Sequence, residues 1–407
     1  MNYPVRYFNC KSLVETDMQA FFTGYVSFFS QIGTFLGEVK GETGIPGLKL
    51  DFNNGLRLQV PAGNWHVHIH DYVHELNYFE EDIQNVILVS VEKYFIHWQI
   101  DVYQDDQMVF SHQFDPTNQR VHFIFCSRGL GDNLAFLPYI GAFLTAYQAQ
   151  GSYYAPEWLQ GICERYYPEL VQQEKLDEDN YVTFFFNMNI DSSCWMPLDG
   201  RIVPMDQIGQ VILDLSYKAE LRSWTPLPRQ IREKYVCIAV QASGAIKGWH
   251  YPHGWDLVVD YLKAQGYRVL CIDKERHQEQ QQYVIDTSTG AEDFTGNIPL
   301  EQRADMLYHA AFFIGLGSGL SWLAHLVGCP VIMIGGFSRF WYEFPNPYRV
   351  YNPMVCNGCF NDLEHMFTEN PCPYQTKTPE RELECSKKIS PRQVLLTIER
   401  LRLELGC

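Results

Sequence analysis

An α/β fold behind a β-rich leading module is what this 407-residue sequence predicts, and three observations carry the prediction. A β-branched and aromatic run, residues 121–126, leads through Gly129-Leu130-Gly131-Asp132-Asn133 into an apolar stretch at helical spacing, residues 134–147. The same order of strand, glycine turn and helix recurs in residues 310–337. Ahead of both lies a span of alternating apolar and polar residues punctuated by hairpin signals. The chain is long enough for two or three domains.

Taken in order, residues 1–115 read as the β-rich module. Residues 1–48 carry a mixed, aromatic and glycine-broken signal to which no role is assigned. From Lys49 the pattern becomes β: Asn53-Asn54-Gly55 marks a hairpin turn, and Gln104-Asp105-Asp106 marks another. His66, His68 and His70 alternate along one strand face. Such a triplet serves either as a polar sheet face or as metal ligands. The polar face is expected, because no cysteine or carboxylate stands at ligand spacing in the sequence. Residues 116–232 form the first nucleotide-type α/β domain, its first helix closing at Gly151, with a further helix over 156–166 and an acidic loop at Asp177-Glu178-Asp179. That loop resembles the Asp-x-Asp of metal-dependent sugar transferases only superficially and is expected to be a solvated surface. A proline-bearing linker, residues 225–234, leads to the second such domain, residues 233–350.

The glycine turns are the candidate sites. Backbone N–H groups at a helix start attract anions, and glycines supply the tight turn before it. Asp132 in the first turn either caps the helix or stands as a general base at the mouth of the sheet. In the second domain, Lys247 follows the first strand, where a cation could hold a diphosphate; a surface lysine is the plain alternative. Asp273 and Glu275 follow the next strand, where a ribose-binding acid stands in such units; a polar loop is the alternative. The turn Gly317-Ser318-Gly319-Leu320-Ser321 offers N–H groups and hydroxyls to phosphate or sugar.

Near the end, Cys356, Cys359, Cys372 and Cys385 crowd into the proline-bearing segment 351–390. Cys-x-x-Cys supplies two thiolates to one tetrahedral ion and the later pair closes it, leaving no open position, so a structural role follows. Iron and zinc both suit four thiolates. Metal binding would supply the folding energy of a segment poor in apolar residues. Reduced thiols, or a redox Cys-x-x-Cys, are the alternative. A charged amphipathic helix, residues 391–405, ends the chain and is expected to pack back onto one domain.

The charge balance is 31 basic against 48 acidic residues, a net of −17, which disfavours nucleic acid and anionic membrane as partners. Residues 310–337 are apolar enough to suggest a membrane span, but six glycines, Pro330 and His325 break them, and no membrane insertion is expected. The first residues lack the charged and apolar regions of a secretory signal, so a cytoplasmic location and thiol cysteines are expected.

The order of these motifs resembles the bacterial autotransporter heptosyltransferases, similar in turn to the heptosyltransferases of lipopolysaccharide assembly. The likeness runs from Lys49 to the end, through GLGDN, SGAIKGW, GLGSGLSWLAHLVGCPVIMI, EFPNPYRVYN and the cysteine quartet. The resemblance implies a GT-B fold of two Rossmann-like domains and transfer of heptose from ADP-heptose to serine hydroxyls of an autotransporter adhesin. It also implies a large homo-oligomer and an iron held by Cys356, Cys359, Cys372 and Cys385. By position, Asp132 is the base and Lys247 meets the donor diphosphate. The Gly317–Ser321 turn meets phosphates or sugar. No catalytic divalent metal is then required, since Lys247 and the turn would take the leaving group's charge. One departure stands out: the lipopolysaccharide enzymes usually start that turn with an Asp that contacts the sugar, where this chain has Gly317. A lipopolysaccharide-type transferase, a protein hexosyltransferase and a non-enzymatic metal-stabilised assembly module remain as competing readings.

Overall fold

A computed structural model describes residues 3–8, 38–173, 179–188, 194–280, 283–286, 290–365, 372–375 and 377–406. The aromatic stretch within 9–37, and Asp177 and Glu178 of the acidic loop, lie outside the described residues.

The leading module consists of two four-stranded sheets. One has the order Val5–Phe8, Val86–Ser90, Arg57–Val60, Lys49–Asp51. Its last two strands form the expected hairpin through Gly55, whose φ of 63° suits glycine, and a Cβ there would lie 2.3 Å from Ser90 Oγ. The other sheet, Leu76–Ile83, Trp65–Asp71, Trp98–Gln104, Gln107–Gln113, is antiparallel throughout. Trp65, Val67 and Ile69 are buried while His66, His68 and His70 alternate with them on the outer face. The module joins the first α/β half through Phe52, which bridges to Val182, and through Asn53, whose Nδ2 donates to the Asn180 carbonyl at 2.9 Å.

The first half holds a parallel sheet ordered Val171–Gln172, Gln150–Tyr154, Arg120–Phe125, Val182–Phe186. Its helix Leu130–Tyr147 buries Leu134, Phe136, Leu137, Ile140 and Phe143. Gly151 does not close that helix. Gln148 does, at φ 52°, and Gly151 belongs to the following strand, in register with Val121. A Cβ at residue 151 would meet Leu144 Cδ1 at 2.4 Å, so packing against the helix, not capping, requires glycine there. Helix Glu157–Tyr166 follows as expected.

The second half is a six-stranded parallel sheet, ordered Glu292–Asp293, Arg268–Cys271, Tyr235–Ile238, Phe313–Leu316, Val331–Ile334, Arg349–Val350. The apolar span 310–337 divides into strand Phe313–Leu316, helix Gly319–Leu326 and strand Val331–Ile334. No described helix is long and apolar enough to cross a membrane. The closing helix Pro391–Leu405 starts with a capping box on Ser390 and packs Val394, Ile398 and Leu401 into this half's core, against helix Gly254–Ala264.

The halves are fastened on one side by Arg165, whose guanidinium donates to both oxygens of Asp305 at 2.8 Å, with Trp224 Nε1 on the same carboxylate at 3.0 Å. They also meet where the two glycine turns oppose each other. A Cβ on Gly131 would lie 2.9 Å from Trp322 Cδ1, and one on Gly319 would lie 2.6 Å from Leu130 Cβ. Both helix starts thus reach the same interface, which only glycine allows at that distance.

Candidate active site

Between the halves, at the carboxyl ends of both sheets, lies a cavity of about 610 Å³. It brings together Asp132, Lys247, Asp273 and the turn Gly317, Ser318, Gly319 and Leu320. Those residues come from four separate stretches of sequence. Crevices at strand carboxyl ends are where open α/β sheets hold ligands.

Asp132 stands in the first turn of Leu130–Tyr147, whose N-cap is Gly129 and carries no side-chain bond. Asp132 is therefore not the N-cap residue itself, although its carboxylate accepts from its own N–H in the first turn. Its carboxylate accepts a hydrogen bond from Ser127 Oγ at 2.5 Å, and Ser127 Oγ in turn accepts from the Gly129 N–H at 3.2 Å. Burial holds the Asp132 carboxyl above the usual carboxylate range; Ser127 and the charge of Lys247 pull it back down, while Glu343 pushes it up.

Lys247 ends the single turn Ala245–Lys247, and its Nζ lies 5.5 Å from the centre of the Phe337 ring. Ser318 is the N-cap of Gly319–Leu326, at the floor of the cavity. Ser321, one turn on, is fully buried and donates to the Leu316 carbonyl at 2.5 Å, outside the cavity lining. Asp273 is buried and accepts from the N–H groups of Val240, at 2.8 Å, and Gln241, at 3.3 Å. Burial pushes its carboxyl up to about 6. Glu275 is exposed and does not line the cavity; its backbone carbonyl accepts from Gln241 Nε2 at 2.8 Å.

The sequence reading missed a third cavity carboxylate. Glu343 is 7% exposed, accepts from Trp322 Nε1 at 2.8 Å and from Ser338 Oγ at 3.0 Å, and its Oε1 lies 2.9 Å from where a Cβ on Gly317 would stand. The available signal was an acid set in the aromatic and proline run Tyr342 to Pro345, a poor setting for a solvated surface. Ser127 was also missed; a serine five residues before an aspartate has no distinguishing pattern.

The cysteine segment sits against the cavity's far edge. Cys372 and Cys385 are buried, and Cys356 and Cys359 half-buried. A hydrogen bond with Cys385 holds the Cys356 thiol down, to about 6, and pushes Cys385 up. Burial, then the charges of Cys372 and Cys356, push Cys359 up to about 12. Leu383 N–H donates to Cys372 Sγ at 3.4 Å, and Gly358, at φ 73°, turns the chain between the first two cysteines. Four cysteine sulfurs in one segment are the donor type that iron or zinc takes, but among the described residues no three of them lie within 4.8 Å of one another.

Residues 44–106 match the model of the glycosyltransferase TibC N-terminal domain, and residues 205–357 match glycosyltransferase family 9 (heptosyltransferase). The autotransporter heptosyltransferase BAHTCr of Citrobacter rodentium is 35% identical over 381 residues, covering 90% of this chain and 92% of that protein. This chain belongs to the autotransporter heptosyltransferase family. It is a glycosyltransferase, with the two-domain GT-B arrangement behind β-rich sheets. Among solved structures, the iron-containing dodecameric glycosyltransferase TibC from enterotoxigenic E. coli superposes with a TM-score of 0.84 at 32% identity, covering 91% of this chain and 99% of that one. TibC has also been crystallised in complex with ADP-D-beta-D-heptose. A more distant member, from Burkholderia thailandensis, is described as an inactive autotransporter heptosyltransferase; it is 30% identical over 88% of this chain and 86% of its own.

Proposed function

We propose that this heptosyltransferase moves heptose from ADP-heptose to serine hydroxyls of an autotransporter passenger domain, with inversion at the anomeric carbon. The observation that carries the reading is Asp132, a half-buried carboxylate oriented by Ser127 and sharing one cavity with Lys247 and the start of helix Gly319–Leu326. As the serine Oγ bonds to the anomeric carbon, its proton passes to Asp132. The bond from that carbon to the diphosphate oxygen breaks on the opposite face, and ADP leaves with the electron pair. Lys247 and the N–H groups at Ser318 to Leu320 meet the charge that develops, which removes the need for a catalytic divalent cation. Asp273, with Glu275 beyond the rim, marks the nucleoside end. Ser321 contributes indirectly, by fixing the turn through Leu316.

The sugar's polar contacts fall to Glu343. It stands where a side chain at residue 317 would point, so the carboxylate lacking from the turn is supplied by the 338–343 loop. Cys356, Cys359, Cys372 and Cys385 would hold iron, which supplies a structural cross-link and no step of the transfer. The thiols recorded among the described cysteines suit a cytoplasmic enzyme. A large homo-oligomer is proposed by likeness to dodecameric TibC.

The test is intact-mass analysis of a passenger fragment co-expressed with the native chain or with Asp132→Asn. Additions in whole heptose units with the native chain alone support the reading. Hexose additions would replace the donor, and an unmodified passenger would overturn the protein acceptor.

A further inference from the structure

We propose that the outer face of the antiparallel sheet in the leading module is a divalent transition-metal site formed by His68, His70 and Asp101. No feature of the transfer reaction uses these residues. His68 and His70, two apart on Trp65–Asp71, project from the same face, and the strand register sets Asp101 of Trp98–Gln104 directly opposite His68. In the sequence His70 and Asp101 stand 31 positions apart. That separation is why no carboxylate was visible at ligand spacing beside the histidines.

One side-chain ligand atom from each of the three lies within 4.8 Å of the other two. The imidazoles stack at 4.5 Å between ring centres, so the two rings stand side by side on that face. His70 Nδ1 is shielded from solvent and has no hydrogen-bond partner among the described residues, a cost that a metal ion would remove. Asp101 is oriented from behind: its Oδ1 accepts from Ser111 Oγ at 2.7 Å and from Gln99 Nε2 at 2.8 Å. Metal-binding carboxylates are typically held by such outer partners. His66 on the same strand shows the contrast, since it has an acid of its own, Asp82 at 2.9 Å.

Two imidazoles and a carboxylate select a borderline cation such as Zn²⁺ over Mg²⁺ or Ca²⁺, which prefer all-oxygen sites. Three protein ligands leave a position for water or an incoming group. The site differs in donor set from the cysteine quartet and stands on a different part of the chain, so the two are separable.

Zn²⁺ uptake by the full chain is measured by equilibrium dialysis and elemental analysis, for the native protein and for His68→Ala, His70→Ala and Asp101→Asn. The native chain is expected to take up one equivalent more than each variant, or to bind it about 100-fold more tightly; Ser111→Ala is expected to weaken it by about 10–100-fold. Asp101→Asn keeps the shape and the acceptor for Ser111, so it tests the ligand with folding preserved. Equal stoichiometry and affinity in the native chain and all three variants would overturn the site. So would loss of the extra equivalent in Cys359→Ser together with its retention in the histidine variants.

Discussion

The carboxylate of Glu343 occupies the space that a side chain on Gly317 would need: Oε1 lies 2.9 Å from the position of that absent Cβ. Trp322 and Ser338 hold the carboxylate there by hydrogen bonds, so it cannot swing aside freely. Glycine at the head of the turn and glutamate on a distant loop are therefore one arrangement. Glu343→Gln is expected to lower kcat/KM by about 10–100-fold, the cost of a charge-assisted hydrogen bond to the sugar. Gly317→Ala should act in the same direction by displacing Glu343. Steady-state kinetics on both variants check this, and a kcat/KM unchanged in Glu343→Gln would remove Glu343 from sugar recognition.

The pH profile offers an independent reading of the same pair. Glu343 raises the Asp132 carboxyl and Lys247 lowers it. A base must be ionised to accept the serine proton, so the acid limb of kcat/KM follows Asp132. Glu343→Gln should move that limb to lower pH, and Lys247→Met should move it to higher pH. A limb that stays in place in both variants would assign it to another group.

Asp132→Asn should leave ADP-heptose binding intact by calorimetry while reducing turnover by at least about 10²–10⁴-fold. Ser127→Ala removes the donor that orients the carboxylate, so a smaller loss of kcat is expected, with an acid limb shifted upward.

Asp273 makes stability fall with rising pH. Its carboxyl titrates near 6 in the folded chain against an ordinary 3.8, so the folded state retains the proton more tightly. Its contribution is fully present below about pH 4 and is lost as pH rises through 6, by up to about 3 kcal/mol. Asp273→Asn should flatten that part of the profile, measured by urea unfolding between pH 4 and 7.

Gly319→Ala would set a methyl group 2.6 Å from Leu130 Cβ, an atom with no freedom to retreat. Overpacking at this interface should cost about 1–3 kcal/mol and wedge the two halves apart. Thermal unfolding and kcat/KM should therefore decline together in this variant.

Much of this arrangement was legible in the residues because it is local. Strand, glycine turn and helix are written contiguously at 121–147 and 313–326, and Asp132 and the 317–320 turn were singled out from that contiguity, Lys247 from its place after the strand that opens the second half. What was illegible depends on tertiary approach. Glu343 reaches the cavity from a loop 26 positions after Gly317, and Asp101 reaches the histidines only through strand register. Gly151 was misread because a glycine after a helix signals a cap, whereas its real constraint is Leu144 packing over the next strand. The burial of Ser321 was equally unreadable, since a hydroxyl in a loop pattern does not reveal that the first helical turn rotates it into the core.

The cysteine segment touches both halves of the enzyme. Arg201 of the first half donates to the carbonyls of Asp362 and His365 at 3.3 Å each, and Asn361 Nδ2 donates back to the Arg201 carbonyl at 2.6 Å. From the other end, Ser386 Oγ donates to the Gly248 carbonyl at 2.5 Å, next to Lys247. The segment is thus tied to the first half at one end and to the backbone beside Lys247 at the other, so a change in its shape is felt on both walls of the cleft at once.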